Sequence, residues 1–268
     1  MQMLIFGLGY SAKVIAAQLR ERGWQVQATG SDGDIAFADD AAVHAALARA
    51  DAVLSSVPPA KDGGDPVLSA YGAALGRFGG WIGYLSSTGV YGDAGGAWVD
   101  ESAPVGTGRR TARSDADAAW LALGARVFRL PGIYGPGRSA LDRVREGRAH
   151  RIDIPGQVFS RVHVDDIASG VVCGLDAMPG AYNLSDDYPC SQNQLIEHAC
   201  QVLDAPVPPM QSIEEANLSP MARGFYAENR RVANGKAKRV LGWTPRFPTY
   251  REGLAACLER EDQPDERK

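Results

Sequence analysis

Short apolar runs alternate with amphipathic stretches through the first half of the chain. Met3–Phe6 is apolar and runs into Gly7, and Val14, Ile15 and Leu19 then recur at helical spacing before Gly23. This predicts a strand, a tight turn and a helix. Trp24–Ala28 alternates large apolar with polar residues, Ala41–Ala50 has a helical pattern, and Ala52–Val57 is a short apolar run closed by Pro58 and Pro59, which reads as strand, helix, strand. A helix over Leu68–Phe78, a strand over Trp81–Leu85, a helix over Ala116–Leu123 and a strand over Arg126–Leu130, ended by Pro131, continue the series. Parallel strands need long crossovers, usually helices, so the alternation predicts an α/β fold: a Rossmann-type doubly wound parallel sheet.

Beyond Gly135 the pattern loosens into helices with longer connections and prolines at 206, 208 and 209. Helix starts remain legible there: Ser191 with Gln194, and Thr249 with Glu252, fit the reciprocal capping box,. The expected division is a nucleotide-binding domain over 1–134 and 160–187, and a smaller C-terminal substrate lobe over 135–159 and 188–268. The polar tail from Glu259 to Lys268 is expected to fray,.

Composition narrows the function classes. With 268 residues, 45% hydrophobic and 22% charged, the chain is long enough for a sizeable core. A net charge of −4 and a pI near 5.6 offer no basic surface for nucleic acid. No apolar run approaches the roughly 20 residues of a membrane-spanning helix, and the apolar start stops at Gly7, too early for a secretory signal,. Cys173, Cys190, Cys200 and Cys257 lack metal-ligand spacing, so reduced thiols, a cytoplasmic location and no metal site are expected.

Gly7, Gly9 and Ala12 form GxGxxA, with Tyr10 and Ser11 between, directly after the first strand and opening the first helix. The first glycine permits the tight turn, the second lets the main chain approach a pyrophosphate, and the small third residue lets helix pack on sheet. The helix N-terminus supplies free N–H donors. An NAD or NADP cofactor is therefore expected. The second strand ends in Thr29, Gly30 and Ser31 with Asp32 and Asp34 beyond and no arginine beside them, which leaves the choice between the two open.

Three later segments are more specific: LSSTGVYGD at 85–93, RLPGIYGPGR at 129–138 and RVHVDDIA at 161–168, followed by Tyr182–Asn183 and RRVANGKAKRVLGWTP at 231–245. With the glycine turn, they resemble the extended short-chain dehydrogenase/reductase family, the NAD-dependent epimerase/dehydratase-like proteins, over nearly the whole chain. The resemblance implies cofactor contacts at Gly7, Gly9, Tyr10, Ser11, Ala12, Ser31, Ser55, Val57 and Pro131. It implies that Ser87, with Thr88 beside it, orients the reacting oxygen, and that Arg138, Arg161 and Asn183 face the substrate. Arg223, Arg230 and Lys236 lie in segments resembling the same lobe. His163 is a candidate proton carrier, with a structural role at a helix entrance as the alternative. Tyr91 and Tyr134 are assigned to packing and loop shape.

One departure is decisive. The family's YxxxK pair, tyrosine as acid/base and lysine on the nicotinamide ribose, is missing: 106–123 holds neither residue. Counting back from Ala116–Asp117 puts Arg109 at the tyrosine position and Arg113 at the lysine position. Arginine stays protonated and cannot shuttle protons. Together with Ser55–Pro59 and the Tyr10 turn, this resembles an atypical branch. The resemblance implies an NAD(P)-binding epimerase-, dehydratase- or reductase-like enzyme acting on a nucleotide sugar or a related polar alcohol or carbonyl by a non-standard mechanism. A non-catalytic dinucleotide-binding or redox-sensing protein is the alternative, and a homodimer stays open.

Overall fold

The computed structural model describes residues 1–60, 63–108 and 111–262. Four strands come first, β1 (Gln2–Phe6), β2 (Gln25–Ala28), β3 (Ala52–Ser55) and β4 (Trp81–Ser87), interleaved with helices α1 (Tyr10–Glu21), α2 (Asp40–Arg49) and α3 (Pro66–Leu75). Helix α4 (Thr111–Ala122) leads to a strand at Arg126–Leu130, and α5 (Ala140–Arg145) and α6 (Val164–Cys173) precede a last strand at Gly180–Asn183. Then come α7 (Gln192–Val202), α8 (Pro220–Phe225), α9 (Gly235–Leu241) and α10 (Tyr250–Asp262). All pairings in the six-stranded sheet are parallel, and β1 lies between β2 and β3, with β4, Arg126–Leu130 and Gly180–Asn183 following beyond β3. Strand order therefore reverses at β1, and such a reversal opens a crevice at the carboxyl ends of the strands.

Side-chain alternation divides the core into two layers. Met3, Ile5, Ala52, Leu54, Phe128 and Leu130 pack with Ala12, Ile15, Ala16 and Leu19 of α1 and Ile167, Ala168 and Val171 of α6. Leu4, Phe6, Val53, Ile82, Tyr84 and Val127 face the other way, onto Val43, Val67, Tyr71, Ala116 and Trp120. Successive strand residues point to opposite faces, so near-continuous apolar strands bury both. Tyr84 of β4 stacks on Trp120 of α4 with ring centroids 5.2 Å apart, a contact worth about 0.5–1.5 kcal/mol beyond its burial. The outer edge of β2 is closed locally: Arg20 donates to the Val26 carbonyl, the Asp34 carboxylate accepts the Ala28 N–H, and the Ile35 N–H donates to the Ala28 carbonyl. An edge so occupied offers little to a further strand.

Leu141, Leu195, Ile196, Ala199, Tyr250, Leu254 and Cys257 form a separate apolar cluster among α5, α7 and α10, in the segments expected to make up the smaller lobe. Both ends of the lobe are tied to the sheet domain. Gly132–Tyr134 pairs with Arg161–His163 where the chain leaves and returns, and Ala237 and Trp243 pack into the sheet's core although they fall within 188–268. The Ser191–Gln194 capping box is formed, and the Glu252 carboxylate accepts the Thr249 N–H at 3.1 Å. Among the described residues no helix is long and apolar enough to cross a membrane, and no group of three or more His, Cys, Asp or Glu is arranged to hold a metal ion.

Candidate functional site

Gly7 has φ +83°, a left-handed conformation that favours glycine. A Cβ there would stand 2.9 Å from Val57 Cγ2, so the β1 turn and the segment after β3 close on each other. The Ser56 hydroxyl donates to the Gly7 carbonyl at 2.6 Å, and the Gly7 N–H donates to the Thr29 hydroxyl at 3.2 Å. Gly9, the residue before α1, differs: a Cβ on it would meet no atom within 4 Å. Helix α1 has no side-chain cap and no acid in its first turn. Its first N–H groups and positive dipole end face the free space above Gly9, which suits a phosphate. The side chains of Ser11 and Ala12 turn inward, leaving their backbone to meet a ligand.

Ser87 ends β4 and accepts the Gly89 N–H at 3.1 Å, capping the turn Thr88–Tyr91. It is half-buried, and accepting that bond leaves its own proton to donate. Thr88 beside it is buried. Behind them runs a buried chain of polar groups. The Ser86 hydroxyl donates to Asp117 at 2.6 Å, Arg129 holds both oxygens of Asp117 at 3.0 and 2.7 Å, and Arg129 donates to the Tyr91 hydroxyl at 3.0 Å. Tyr91 in turn donates to the Asn183 side chain at 2.7 Å. Burial pushes the Tyr91 phenol up, against the Arg129 charge, so it serves as a fixed donor. Arg113 stands one turn before Asp117 on α4, and its charge acts on the buried Tyr84 phenol, which burial nevertheless raises.

No protein-family model matches the chain. A solved protein of unknown function from Silicibacter pomeroyi is 38% identical, with a TM-score of 0.86, covering 97% of this chain and 98% of that one. This chain belongs to one family with the Silicibacter protein. A human epimerase family protein, solved with NADPH, has a TM-score of 0.75 at 16% identity, covering 97% of this chain and 99% of the human one, so the two share a Rossmann-type α/β fold. A curated relative from Streptomyces, 3-diazoavenalumate denitrifying reductase, is 31% identical over 144 residues, 49% of this chain and 46% of the relative. The match thus spans about half the relative's length.

Within this family frame, the sequence-derived candidates separate. Gly7, Gly9, Tyr10, Ser11, Ala12 and Val57 gather around the turn, Ser31 lies on the exposed loop beyond β2, and Pro131 follows the strand that pairs beside β4. Ser55 is wholly buried and its hydroxyl has no hydrogen-bond partner among the described residues, so it lies beneath the turn and cannot touch a cofactor. Three expectations are corrected by burial. His163 is 0% exposed; its ring accepts the Asp165 N–H at 3.2 Å as the cap of α6 and packs against Tyr134 and Phe247. Burial lowers its pKa to about 4, so it is a neutral helix cap with no path to a ligand. Asn183 is also sealed, its amide bonded to Tyr91 and to the Ala233 carbonyl. Arg161 is buried on the Phe159 and Cys190 carbonyls and the Gln192 side chain.

Arg138 remains exposed, beside Tyr10. Lys236 donates to the Ala181 carbonyl and Arg230 to the Gly92 carbonyl and Glu228, so both tie loops together. Arg109 lies outside the described residues. The buried Arg129–Asp117–Tyr91 chain was missed by sequence reasoning. Its one visible signal was Arg129, a charge set between Phe128 and Leu130 inside the strand Arg126–Leu130.

Proposed function

We propose that this chain binds NAD or NADP and catalyses hydride transfer between that cofactor and a polar alcohol or carbonyl compound, a nucleotide sugar being the implied example, without the usual tyrosine and lysine. The carrying observation is the uncapped α1 N-terminus over the open face of Gly9, at the reversal of strand order, with the Ser87 hydroxyl on the same sheet edge. The human neighbour's bound NADPH and the Streptomyces relative's reductase name support the reading. When bound, the dinucleotide would give the hydride to a carbonyl or take it from an alcohol. The chain's own part is to hold the phosphates on α1, to orient the reacting oxygen through the Ser87 proton while Gly89 fixes its oxygen, and to offer the lobe of α5, α7 and α10 to the rest of the substrate. His163, Tyr91 and Tyr134 are buried and arginine cannot exchange protons, so the accompanying proton is assigned to water. Four free thiols agree with a cytoplasmic location.

The arginines at positions 109 and 113 favour a second reading, a dinucleotide-binding protein that has lost the chemistry. Ser87→Ala separates the two. Cofactor affinity, read by calorimetry, is expected to stay unchanged, while turnover against a panel of sugar nucleotides and simpler carbonyl compounds falls about 100-fold, the usual effect of losing one donor to a developing charge. Equal turnover in wild type and variant removes Ser87 from the mechanism. A wild type that binds cofactor but turns over nothing on the panel supports the second reading.

A further inference from the structure

The loop that leaves the sheet for the lobe first passes over the nucleotide turn. Tyr10 opens α1, and its hydroxyl donates to the Pro136 carbonyl at 3.1 Å. Burial pushes this phenol up to about 12, so it remains a donor at any ordinary pH. Gly135 makes the approach possible: a Cβ there would stand 2.5 Å from the Tyr10 hydroxyl oxygen and 2.7 Å from Val164 Cγ1. The Arg138 N–H donates to the Gly135 carbonyl at 3.0 Å, which closes the turn and sets the guanidinium carbon 5.6 Å from the centre of the Tyr10 ring. Ser139 then starts α5 with a complete capping box to Asp142. A cation that belongs by sequence to the lobe thus stands against the first residue of the phosphate-binding helix.

Two features point from this cation to an anion on α1. Helix α1 carries no acid in its first turn with which Arg138 could pair. The space above Gly9 is free of protein atoms to 4 Å from where a Cβ would stand. A guanidinium offers paired donors matched to phosphate oxygens, and an anion there would meet backbone N–H groups from the helix and the arginine from the loop.

We propose that Arg138 is a dinucleotide-binding residue that closes over the pyrophosphate held on α1, so that cofactor binding also fixes the loop from which the substrate lobe begins. This rests on the nucleotide reading above, and moves Arg138 from the substrate to the cofactor.

The test uses wild type, Arg138→Gln and Arg138→Lys, titrated calorimetrically with NADH, NADPH and ADP-ribose at low and high salt, with hydrogen exchange followed over 135–145. Loss of one charge-assisted contact is expected to weaken all three ligands about tenfold to a hundredfold and to flatten the salt dependence, with lysine recovering part of the loss. ADP-ribose is expected to slow exchange over 135–145 in wild type and not in Arg138→Gln. Arg138 is exposed, so the variants are expected to fold, which circular dichroism checks. Wild-type binding with equal affinity and salt dependence in Arg138→Gln overturns the assignment while leaving the nucleotide reading intact. A wild type that binds none of the three overturns that reading itself.

Discussion

At the β1 end of the sheet the groups that matter are left unpaired, whereas at the β4 end nearly all are paired with one another. The α1 N-terminus has no cap, and Gly9 opens on free space. Two strands away in the sheet order, Ser86, Asp117, Arg129, Tyr91 and Asn183 form a closed chain with little exposed surface. Unpaired donors have value only where a ligand completes them, while a buried ion pair must be satisfied internally. The contrast fits the proposed roles, binding for the first region and support for the second, with Ser87 a half-buried polar group at the end of β4.

The largest expected effect comes from filling the open space. Gly9 has φ −81° and no neighbour near its Cβ position, so Gly9→Val is expected to fold and yet lose cofactor binding altogether. A ligand at a hundred times its Kd stabilises a folded protein by about 2.7 kcal/mol. Thermal melts with NAD(H) and NADP(H) are expected to show this upward shift for wild type and none for the variant. Equal shifts would move the phosphates away from α1.

Arg129→Met probes the opposite region. Asp117 would be left buried without the guanidinium that holds both its oxygens, at a cost of about 3–5 kcal/mol in a denaturant titration, and adding Asp117→Leu is expected to return much of the loss. Lys13 and Asp32 make the comparison pair, 2.5 Å apart with side chains each 53% exposed. Solvent and salt screen such a pair, so Lys13→Ala is expected to leave the titration unchanged. If Arg129→Met proved as mild as Lys13→Ala, the support role of the buried chain would be lost.

The two regions also differed in how far the sequence revealed them. GxGxxA is local: the strand, glycines and helix that build the phosphate turn are contiguous, so Gly7, Gly9 and α1 followed from spacing alone. The β4 region is assembled from segments far apart in the chain, and its roles depend on burial. His163 and Asn183 read as candidates because their chemistry is versatile, but an imidazole capping α6 beneath Phe247 and an amide bonded to Tyr91 are excluded by position. Arg138 was read as facing the substrate, and its neighbour across the fold, Tyr10, could not be deduced from a separation of more than a hundred residues. The ends of β1 and of Arg126–Leu130 were legible from Gly7 and Pro131, whereas β3 stops two residues short of the expected Val57 and β4 runs two past Leu85; the helix at Thr111–Ala122 began earlier than its apolar pattern because Thr111–Asp115 is mostly polar.

Asp186 gives the most subtle test, because it breaks the pairing rule within the second region. It is 3% exposed, and no side chain among the described residues hydrogen-bonds its carboxylate oxygens, although the backbone of Tyr188 and Arg161 favours the charged form. Burial raises its pKa from 3.8 to about 8, against the opposing charge of Arg161. The folded protein therefore keeps a proton that the unfolded chain gives up near its ordinary pKa, so this group makes stability fall as pH rises from about 4 towards 8. His163 acts with the opposite sign, since its folded pKa of about 4 lies below the ordinary 6.5, making stability rise over that interval. Comparing wild type with Asp186→Asn cancels the histidine. The asparagine cannot ionise, so the variant is expected to be more stable than wild type at pH 8 by about 1–3 kcal/mol, the scale for an uncompensated buried polar group, with the gap narrowing towards pH 5. Parallel stability curves across that range would mean that the carboxylate finds a partner in solution, and that this end of the site obeys the same pairing as Asp117.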